Sequence, residues 1–518
     1  MDRANGNAAD YFIERHLREG RGERLAFADP WRSLTYAGLS GASARFAAGL
    51  QAAGIERERR IALLMLDTID FPIAFWGALR AGIVPVPINT LLPADITEYI
   101  LQDSRAAALV VSAPLLEPLR SLLDRLPGLR QVIVSQPNGE PGADPRATAF
   151  GAFLDSAAPT AGIAECSPDE VAFWLYSSGS TGAPKGVRHL HSNLRATSDT
   201  YGLQVLQIAP EDLVFSAAKL FFAYGLGNSM TFPMAVGAAS VLFPERPAPD
   251  TVLATMQRFQ PTIFAGVPTL YAALLAQNAI GPGAGSDRLR RCISAGEPLP
   301  EHVGRRWHET VGVDILDGIG STEMLHIFLS NRPDDIRYGT TGKPVPPYEV
   351  RIVTESGEDA ADGETGELIV KGPSEAEGYW NQRDKSRRTF RGEWTYTGDT
   401  YTRDADGYYR YCGRSDDMLK VSGIWVSPFE VEEALIGHAA VLEAAVVGHP
   451  DPEGLIKPKA FVVLQQSAPR DDPDALCEAL QSHVKEQIGV WKYPRWIEFC
   501  DNLPKTATGK IQRYKLRQ

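Results

Sequence analysis

Tyr176-Ser177-Ser178-Gly179-Ser180-Thr181-Gly182-Ala183-Pro184-Lys185-Gly186 is the stretch on which the reading of this chain turns. The apolar run at 171–176 predicts a strand that leads into it. Glycines at 179, 182 and 186 let the backbone approach an anion closely. The hydroxyls of Ser177, Ser178, Ser180 and Thr181 can donate to phosphate oxygens, and Lys185 adds a point charge for a β- or γ-phosphate. A plain solvated turn would leave those hydroxyls and the lysine without purpose. The phosphate loop in which Gly-Lys is followed by Ser or Thr is excluded, because Pro184 precedes the lysine and Gly186 follows it.

Outward from this loop, helix-like and strand-like segments alternate. Residues 34–54, 71–82 and 95–103 have helical spacing. Residues 60–66, 83–88 and 107–111 are short apolar runs suited to buried strands, and the pattern recurs near 251–266 and 289–295. Continuous apolar strands between helices indicate parallel sheets covered on both faces, an α/β fold of βαβ type. From about residue 345 the texture changes to short strands at 350–353, 366–370, 396–399 and 407–411 with Gly and Asp turns, a β-rich subdomain. After the polar junction 413–417, a helix (427–437), strands (444–447, 459–464), a helix (474–488) and a strand (496–499) form a small α+β domain. The expected division is a large domain over 1–413, with its β-rich part at about 345–413, and a mobile C-terminal domain over 414–518.

Bulk properties narrow the function. The chain has 518 residues, 44% hydrophobic and 22% charged, ordinary for globular proteins. A net charge of -12 argues against nucleic acid as a main partner. Cys166, Cys292, Cys412, Cys477 and Cys500 are scattered with no CxxC spacing, which fits a reducing cytoplasm. Met1 to Asp10 has no apolar run for a signal peptide, and Lys515-Leu516-Arg517-Gln518 is neither a peroxisomal nor a lipidation signal. Residues 220–244 carry no Asp, Glu, Lys or Arg and are long enough to cross a bilayer. Gly225, Gly227, Pro233, Gly237 and Pro244 break the run, so it reads as buried core and pocket wall, with no membrane partner. His189-Leu190-His191 lacks a third nearby ligand and reads as structural.

The loop resembles the phosphate loop of the adenylate-forming superfamily: acyl-CoA synthetases, adenylation domains and luciferases. Further motifs follow in the family's order and extend the resemblance over essentially the whole chain. Asp317-Gly318-Ile319-Gly320-Ser321-Thr322-Glu323 resembles its central motif, though Ile319 stands where relatives often stack a Tyr on adenine. Tyr396-Thr397-Gly398-Asp399 resembles the ribose motif, Gly413-Arg414-Ser415-Asp416-Asp417 the junction, and Pro504-Lys505-Thr506-Ala507-Thr508-Gly509-Lys510 the C-terminal catalytic motif.

The resemblance implies roles. Thr322 contacts phosphate, and Glu323 holds Mg²⁺, a hard ion suited to carboxylate and phosphate oxygens. Gly296, Glu297, Asp317, Gly318, Ile319, Asp399 and Arg414 contact the nucleotide. Lys510 bridges the acid and the α-phosphate, while Lys185 and the loop hold pyrophosphate. Asp416 is the hinge, and Lys420 and Gly423 line a path for coenzyme A. ATP, Mg²⁺ and coenzyme A are the implied cofactors and co-substrates.

The acid is read from the segment 219–228 and the run 318–327. Phe222 and Tyr224 suit a flat ring better than a long acyl tail, and no carboxylate in 220–244 could pair an amino acid's ammonium. Both runs resemble benzoate–CoA ligases, which implies that Phe222, Ala223, Tyr224, Gly320, His326 and Ile327 line the ring. The expected activity converts a benzoate, hydroxybenzoate or aminobenzoate to its CoA thioester through an acyl-adenylate. Alternatives are another aryl or medium-chain acid, a stand-alone enzyme loading a carrier protein, a luciferase-like oxygenase and a non-catalytic nucleotide binder. Nothing fixes the oligomeric state, and a homodimer is admitted.

Overall fold

The computed structural model describes residues 5–136, 147–159, 162–177, 183–277, 279–415, 417–421, 424–452, 455–469, 471–490, 492–505 and 511–517. The side chains of residues 420, 424, 425 and 514 are left aside. The chain packs as two compact units. The first comprises Met1–Glu349 and Val370–Thr395, and the second comprises Val350–Ile369 and Tyr396–Gln518. The boundary expected between 413 and 414 falls inside the second unit, and residues 350–369 and 396–413, expected with the large domain, pack in that unit.

In the first unit, the apolar run at 60–66 becomes the strand Arg60–Leu64, followed by the helix Asp70–Arg80 and the strand Val84–Pro87. These strands, with Ala108–Ser112, Gln131–Ser135 and Ala147–Ala149, form a parallel five-stranded sheet. A nine-stranded sheet runs from Lys343–Pro344 at one edge to Ser33–Thr35 at the other. Its central strands Ile315–Gly320, Arg291–Ser294, Ile263–Gly266, Leu213–Ser216 and Ala239–Val241 are parallel. A core of large side chains, among them Phe46, Phe71, Phe75, Trp76 and Phe173, is fully buried and supplies most of the apolar driving force. The α/β class follows from this arrangement. Within 220–244 the chain is helical without interruption over 223–236, with a π-helical turn at Gly227–Thr231 between Ala223–Leu226 and Phe232–Val236, and Gly237, at a φ of 77°, ends it before the strand Ala239–Val241. Among the described residues, no helix is long and apolar enough to cross a membrane.

In the second unit, Ser427 caps the helix Pro428–Ile436 by accepting from the Glu430 N–H at 3.1 Å. The strands Val441–Pro450 and Ile456–Leu464 pair antiparallel, and Trp496–Phe499 adds in parallel. Leu435, Val446, Val462 and Leu480 fill the space between this sheet and the helices.

Candidate active site

The strand Val171–Ser177 pairs antiparallel with Lys185–Leu190, in register Ser177 opposite Lys185. Ser177, at the end of the first strand, and Lys185, at the start of the second, therefore stand opposite each other. Ser178, Gly179, Ser180, Thr181 and Gly182 lie outside the described residues. A third strand, Gly378–Tyr379, pairs with Val187 and Arg188 and carries Tyr379 to the lysine.

The result is a compact charged corner. Lys185 Nζ lies 3.0 Å from Glu323 Oε1 and donates to the Tyr379 hydroxyl at 2.7 Å. That hydroxyl donates to Glu323 Oε1 at 2.7 Å, and the ammonium also sits 4.1 Å from the Tyr379 ring centroid. Burial pushes the Glu323 carboxyl up, but Lys185 and the Tyr379 hydroxyl outweigh it and hold the group below its usual range. The corner thus keeps both charges while largely removed from water. A buried carboxylate that already holds a cationic group is a fitting ligand for Mg²⁺. Among the described residues, no cluster of three acidic, His or Cys side chains adds to it. One carboxylate completed by phosphate oxygens is the usual arrangement for this ion.

Glu323 is held by its backbone. The strand Ile315–Gly320 ends in a turn in which the Met324 N–H donates to Ser321 Oγ at 3.1 Å and Leu325 adopts a φ of 63°. Every carbonyl from 322 to 324 is tied down. His189 Nε2 donates to Thr322 O at 2.9 Å, the Ala376 N–H to Glu323 O at 2.8 Å, and Ser374 Oγ to Met324 O at 2.7 Å. Asn193 Nδ2 binds Ser374 O at 2.8 Å and Glu375 O at 2.9 Å, and sits 3.3 Å from His189 Nδ1. Burial lowers His189 to about 4, so it is neutral and acts as a donor to the turn. His191 Nδ1 accepts the Ala8 N–H at 3.2 Å. The His189–His191 pair is structural, as the sequence suggested, but His189 braces the very turn that presents Glu323.

Three residues beyond Glu323 stands His326. Its Nε2 lies 3.3 Å from Tyr224 O and 3.5 Å from Asn228 Nδ2. Nε2 thus faces both an acceptor, the Tyr224 carbonyl, and a donor, the Asn228 amide nitrogen. Among the described residues, Nδ1 and the neighbouring Asn228 Oδ1 are buried without a hydrogen-bond partner. Burial lowers His326 to about 3. Tyr201, Phe232 and Tyr224 surround the ring at centroid distances of 5.2, 4.5 and 5.8 Å. Gly227 makes this packing feasible, since a Cβ there would lie 2.4 Å from His326 Cδ2. Gly320 is equally constrained, with a Cβ that would meet His326 O at 2.5 Å.

The Tyr224 hydroxyl lies 3.1 Å from both Gly266 O and Ile293 O, so its proton is committed to the sheet. Phe222 precedes the short helix Ala223–Leu226, and Ile327 is buried at the start of the returning strand Ile327–Ser330. A carboxylate does reach this segment from elsewhere: Asp67, buried after the first parallel strand, accepts the Leu220 N–H at 3.1 Å. Burial raises it to about 6, and nearby Lys219 opposes the rise. Burial likewise raises Asp317 to about 8, and the Leu299 N–H, 3.5 Å from Asp317 Oδ2, opposes the rise. Gly318 and Ile319 follow Asp317 on the same strand, and Thr322 stands in the turn beyond. Gly296, with a φ of 93°, and Glu297 follow the strand Arg291–Ser294.

In the second unit, the strands Trp394–Arg403 and Tyr409–Arg414 set Asp399 opposite Arg414. Arg414 Nη1 donates to Asp399 Oδ1 at 3.1 Å and to Thr397 O at 3.0 Å. Gly398, at a φ of 70°, lets the guanidinium close over the turn, where a Cβ would lie 2.6 Å from Arg414 Nη2. Lys420 lies on the strand Leu419–Val421. Asp416, Gly423 and Lys510 lie outside the described residues.

The AMP-binding enzyme profile matches residues 13–380, and the profile of the AMP-binding enzyme C-terminal domain matches residues 430–510. This chain belongs to the AMP-binding enzyme family. Within that family it is 54% identical to a benzoate–CoA ligase of Thauera aromatica, over 99% of this chain and 95% of the relative. It is 53% identical to a 4-hydroxybenzoate–CoA/benzoate–CoA ligase of Rhodopseudomonas palustris, over 99% and 94%. The crystal structure of a benzoate CoA ligase from Burkholderia xenovorans superposes with a TM-score of 0.90 at 49% identity, covering 99% of this chain and all of that one. As a member of the AMP-binding enzymes, the chain draws on ATP, Mg²⁺ and coenzyme A.

Tyr379, Asn193, Ser374 and Asp67 escaped the sequence reading. Tyr379 meets Lys185 across 194 positions, and no local pattern links them. His189 and Asn193 share no periodicity that would link them, since His189 belongs to the strand Lys185–Leu190 and Asn193 to the first turn of the helix His191–Thr197.

Proposed function

We propose that this protein is an AMP-forming acid–thiol ligase that converts a benzoate-type acid to its CoA thioester. The reading rests on one juxtaposition: the turn 320–327 joins a charged corner, Lys185 and Glu323, to an aromatic wall around His326 that carries no net charge. Anions are handled at one end of the turn and a flat neutral ring at the other. Full-length similarity to two benzoate-type ligases supports the same reading.

The first step brings an organic carboxylate to the α-phosphate of ATP and expels pyrophosphate. Two anions must meet, so fixed positive charge and donors aimed at the developing charge lower the barrier. Lys185 can exchange Glu323 for a phosphate oxygen, with the hydroxyls of Ser177 to Thr181 and of Thr322 adding donors. At Glu323 a magnesium ion would be held, supplying charge compensation for the phosphates. Asp399 accepts from the ribose hydroxyls, and Arg414, Asp317, Gly318, Ile319, Gly296 and Glu297 frame the nucleotide. Lys510 bridges the two reacting anions. In the second step the thiol of coenzyme A displaces AMP, along a path past Lys420 and Gly423. Rotation of 414–518 against 1–413 about Asp416 removes Lys510 between the steps, a hinge motion of ordinary type.

The polar atoms beside His326 bear on the ring substituent. Asn228 Oδ1 is an acceptor, buried without a hydrogen-bond partner among the described residues, so a hydroxyl or amino group finds a partner there, whereas a nitro or second carboxylate group does not. Cytoplasmic location and a homodimer belong to this reading, and sedimentation of the purified chain tests the latter.

The test supplies ATP, Mg²⁺ and coenzyme A with benzoate, hydroxybenzoates, aminobenzoates, 4-nitrobenzoate, hexanoate and phenylalanine. AMP release saturating at far lower concentrations of unsubstituted, hydroxy- or aminobenzoates is expected. Preferred turnover of hexanoate or phenylalanine would overturn the reading. Thioester formed on a carrier protein but not on free coenzyme A would redirect it to the second acceptor.

A further inference from the structure

The three-stranded sheet that carries the charged corner has a second face. Side chains alternate between the two faces of a strand, and residues paired across strands share a face. Ser177 stands opposite Lys185, and Tyr379 stands opposite Val187, two positions on from Lys185. Ser177, Lys185 and Tyr379 therefore share one face. Tyr176 stands opposite Gly186, and the Trp380 N–H donates to Gly186 O at 2.8 Å. Tyr176 and Trp380 thus leave the sheet on the other face, where Trp174 packs against Trp380 at a centroid distance of 4.8 Å.

Both side chains end on one residue. The Tyr176 hydroxyl donates to Asp103 Oδ2 at 2.6 Å, and Trp380 Nε1 donates to Asp103 O at 2.9 Å. Asp103 closes the helix Ala94–Asp103 and lies 73 positions before Tyr176 and 277 before Trp380. Burial pushes the Tyr176 hydroxyl up, and the hydrogen bond to Asp103 adds to the rise, so the phenol keeps its proton and stays the donor. The bare backbone of Gly186 lets the phenol ring lie across the strand pair, since a Cβ there would stand 3.2 Å from Tyr176 Cζ. The guanidinium carbons of Arg60 and Arg105 each lie 5.4 Å from the Trp380 ring centroid, and Arg60 Nε donates to Ser104 O at 2.8 Å. The end of one helix thus holds both outer strands of the sheet, one by a carboxylate and the other by a carbonyl.

We propose that Asp103 is a positioning residue for adenylate formation, acting through Tyr176 and Trp380 on the corner of Lys185, Tyr379 and Glu323. Each anchor is one residue away from a group on the working face. Tyr176 precedes Ser177, whose Oγ is buried without a hydrogen-bond partner among the described residues. Trp380 follows Tyr379, which touches both Lys185 and Glu323. A strand that twists or slides moves both of its faces together, so fixing the back face fixes the front. The inference rests on the reading of that corner as the polyphosphate site, and not on the identity of the acid.

The experiment uses the full-length chain and measures the half-reactions separately. ATP–pyrophosphate exchange with the acid of lowest KM from the panel above reports adenylate formation. AMP release from that acid's synthetic adenylate plus coenzyme A reports thiol transfer. Tyr176→Phe and Asp103→Ala each delete the hydrogen bond to the carboxylate and are expected to lower exchange by about tenfold, the lower end for a hydrogen bond to a charged group. The loss should fall on the KM for MgATP, with the KM for the acid and the transfer rate within about threefold of the parent. Retained transfer also certifies that the variants are folded. The double variant should lose no more than either single one, because both delete the same contact. Asp103→Asn, whose side-chain oxygen still accepts the phenol, should recover exchange to within about threefold of the parent. Equal losses in exchange and transfer would overturn the inference, because a merely structural role predicts them. So would losses that multiply in the double variant, Asp103→Asn as impaired as Asp103→Ala, or unchanged exchange in Tyr176→Phe while Glu323→Gln loses it. If Glu323→Gln itself exchanges normally, the reading of the corner falls, and the inference with it.

Discussion

Two buried polar sites flank one short turn and meet the problem of burial in opposite ways. At Lys185 and Glu323 an ion pair with a shared phenol keeps both charges inside the protein. At His326, with no charge of opposite sign in contact among the described residues, burial strips the charge and leaves a neutral ring among aromatics. The same low-dielectric surroundings preserve charge where a partner is built in and abolish it where none is. Polyphosphate chemistry needs the first environment, and a planar uncharged ring needs the second.

Removing the acidic half of the charged corner should break the contrast most severely. Glu323→Gln is expected to lower ATP–pyrophosphate exchange by about 10²–10³-fold, the scale of losing a principal electrostatic stabiliser. Transfer from supplied benzoyl-adenylate should change little, and an exchange loss below about threefold would remove Glu323 from the machinery. Tyr379→Phe keeps the ring under Lys185 but deletes the shared hydroxyl. A hydrogen bond to a charged group is worth about 1.5–3 kcal/mol, so exchange should fall by roughly 10- to 100-fold. The KM for MgATP should rise while that for benzoate holds steady.

On the neutral side, Gly227→Ala forces a Cβ into the His326 ring. Overpacking of this kind costs about 1–3 kcal/mol. The KM for benzoate should rise by about tenfold with the KM for ATP unchanged, and a normal benzoate KM would separate His326 from the acid pocket. The smallest effect is one of pH. His326 titrates in the folded chain at about 3, below its ordinary 6.5, so the unfolded chain binds the extra proton. The stability this confers is complete above pH 6.5 and drains away as pH falls toward 3. In urea unfolding, the parent should lose about 1 kcal/mol more than His326→Gln between pH 6.5 and 5.5. Parallel losses in the two proteins would contradict a neutral, buried His326.

The difference between the sites also explains what could be read from sequence. The α/β alternation was legible because runs such as 61–64 and 108–112 are buried whole, as parallel strands require. The charged corner was half legible. Lys185 and Glu323 stand in dense local patterns, whereas Tyr379 joins them only through strand pairing with Val187 and Arg188. His326 was marked by resemblance, yet its contacts with the carbonyl of Tyr224 and the amide of Asn228 are revealed by no spacing rule. The strand pairing of Ile315–Gly320 with Ile327–Ser330 was missed because the tight turn between them reads as motif rather than hairpin. Asp67 was invisible for the same reason as Tyr379, since it meets Leu220 across 153 positions.

The return of residues 370–395 to the first unit, after the excursion 350–369 into the second, constrains how this enzyme can be dissected. A recombinant fragment ending at Glu349 would contain the phosphate loop, the aromatic wall and Glu323. It would still lack Tyr379 beside Lys185 and the Ser374–Ala376 clasp on the turn. Limited proteolysis within 350–369 would likewise leave a nicked first unit, with 370–395 still packed in it, rather than a free-standing catalytic piece. Gene-fusion or domain-swapping schemes therefore have to cut after Thr395, not where the first long stretch of α/β sequence ends.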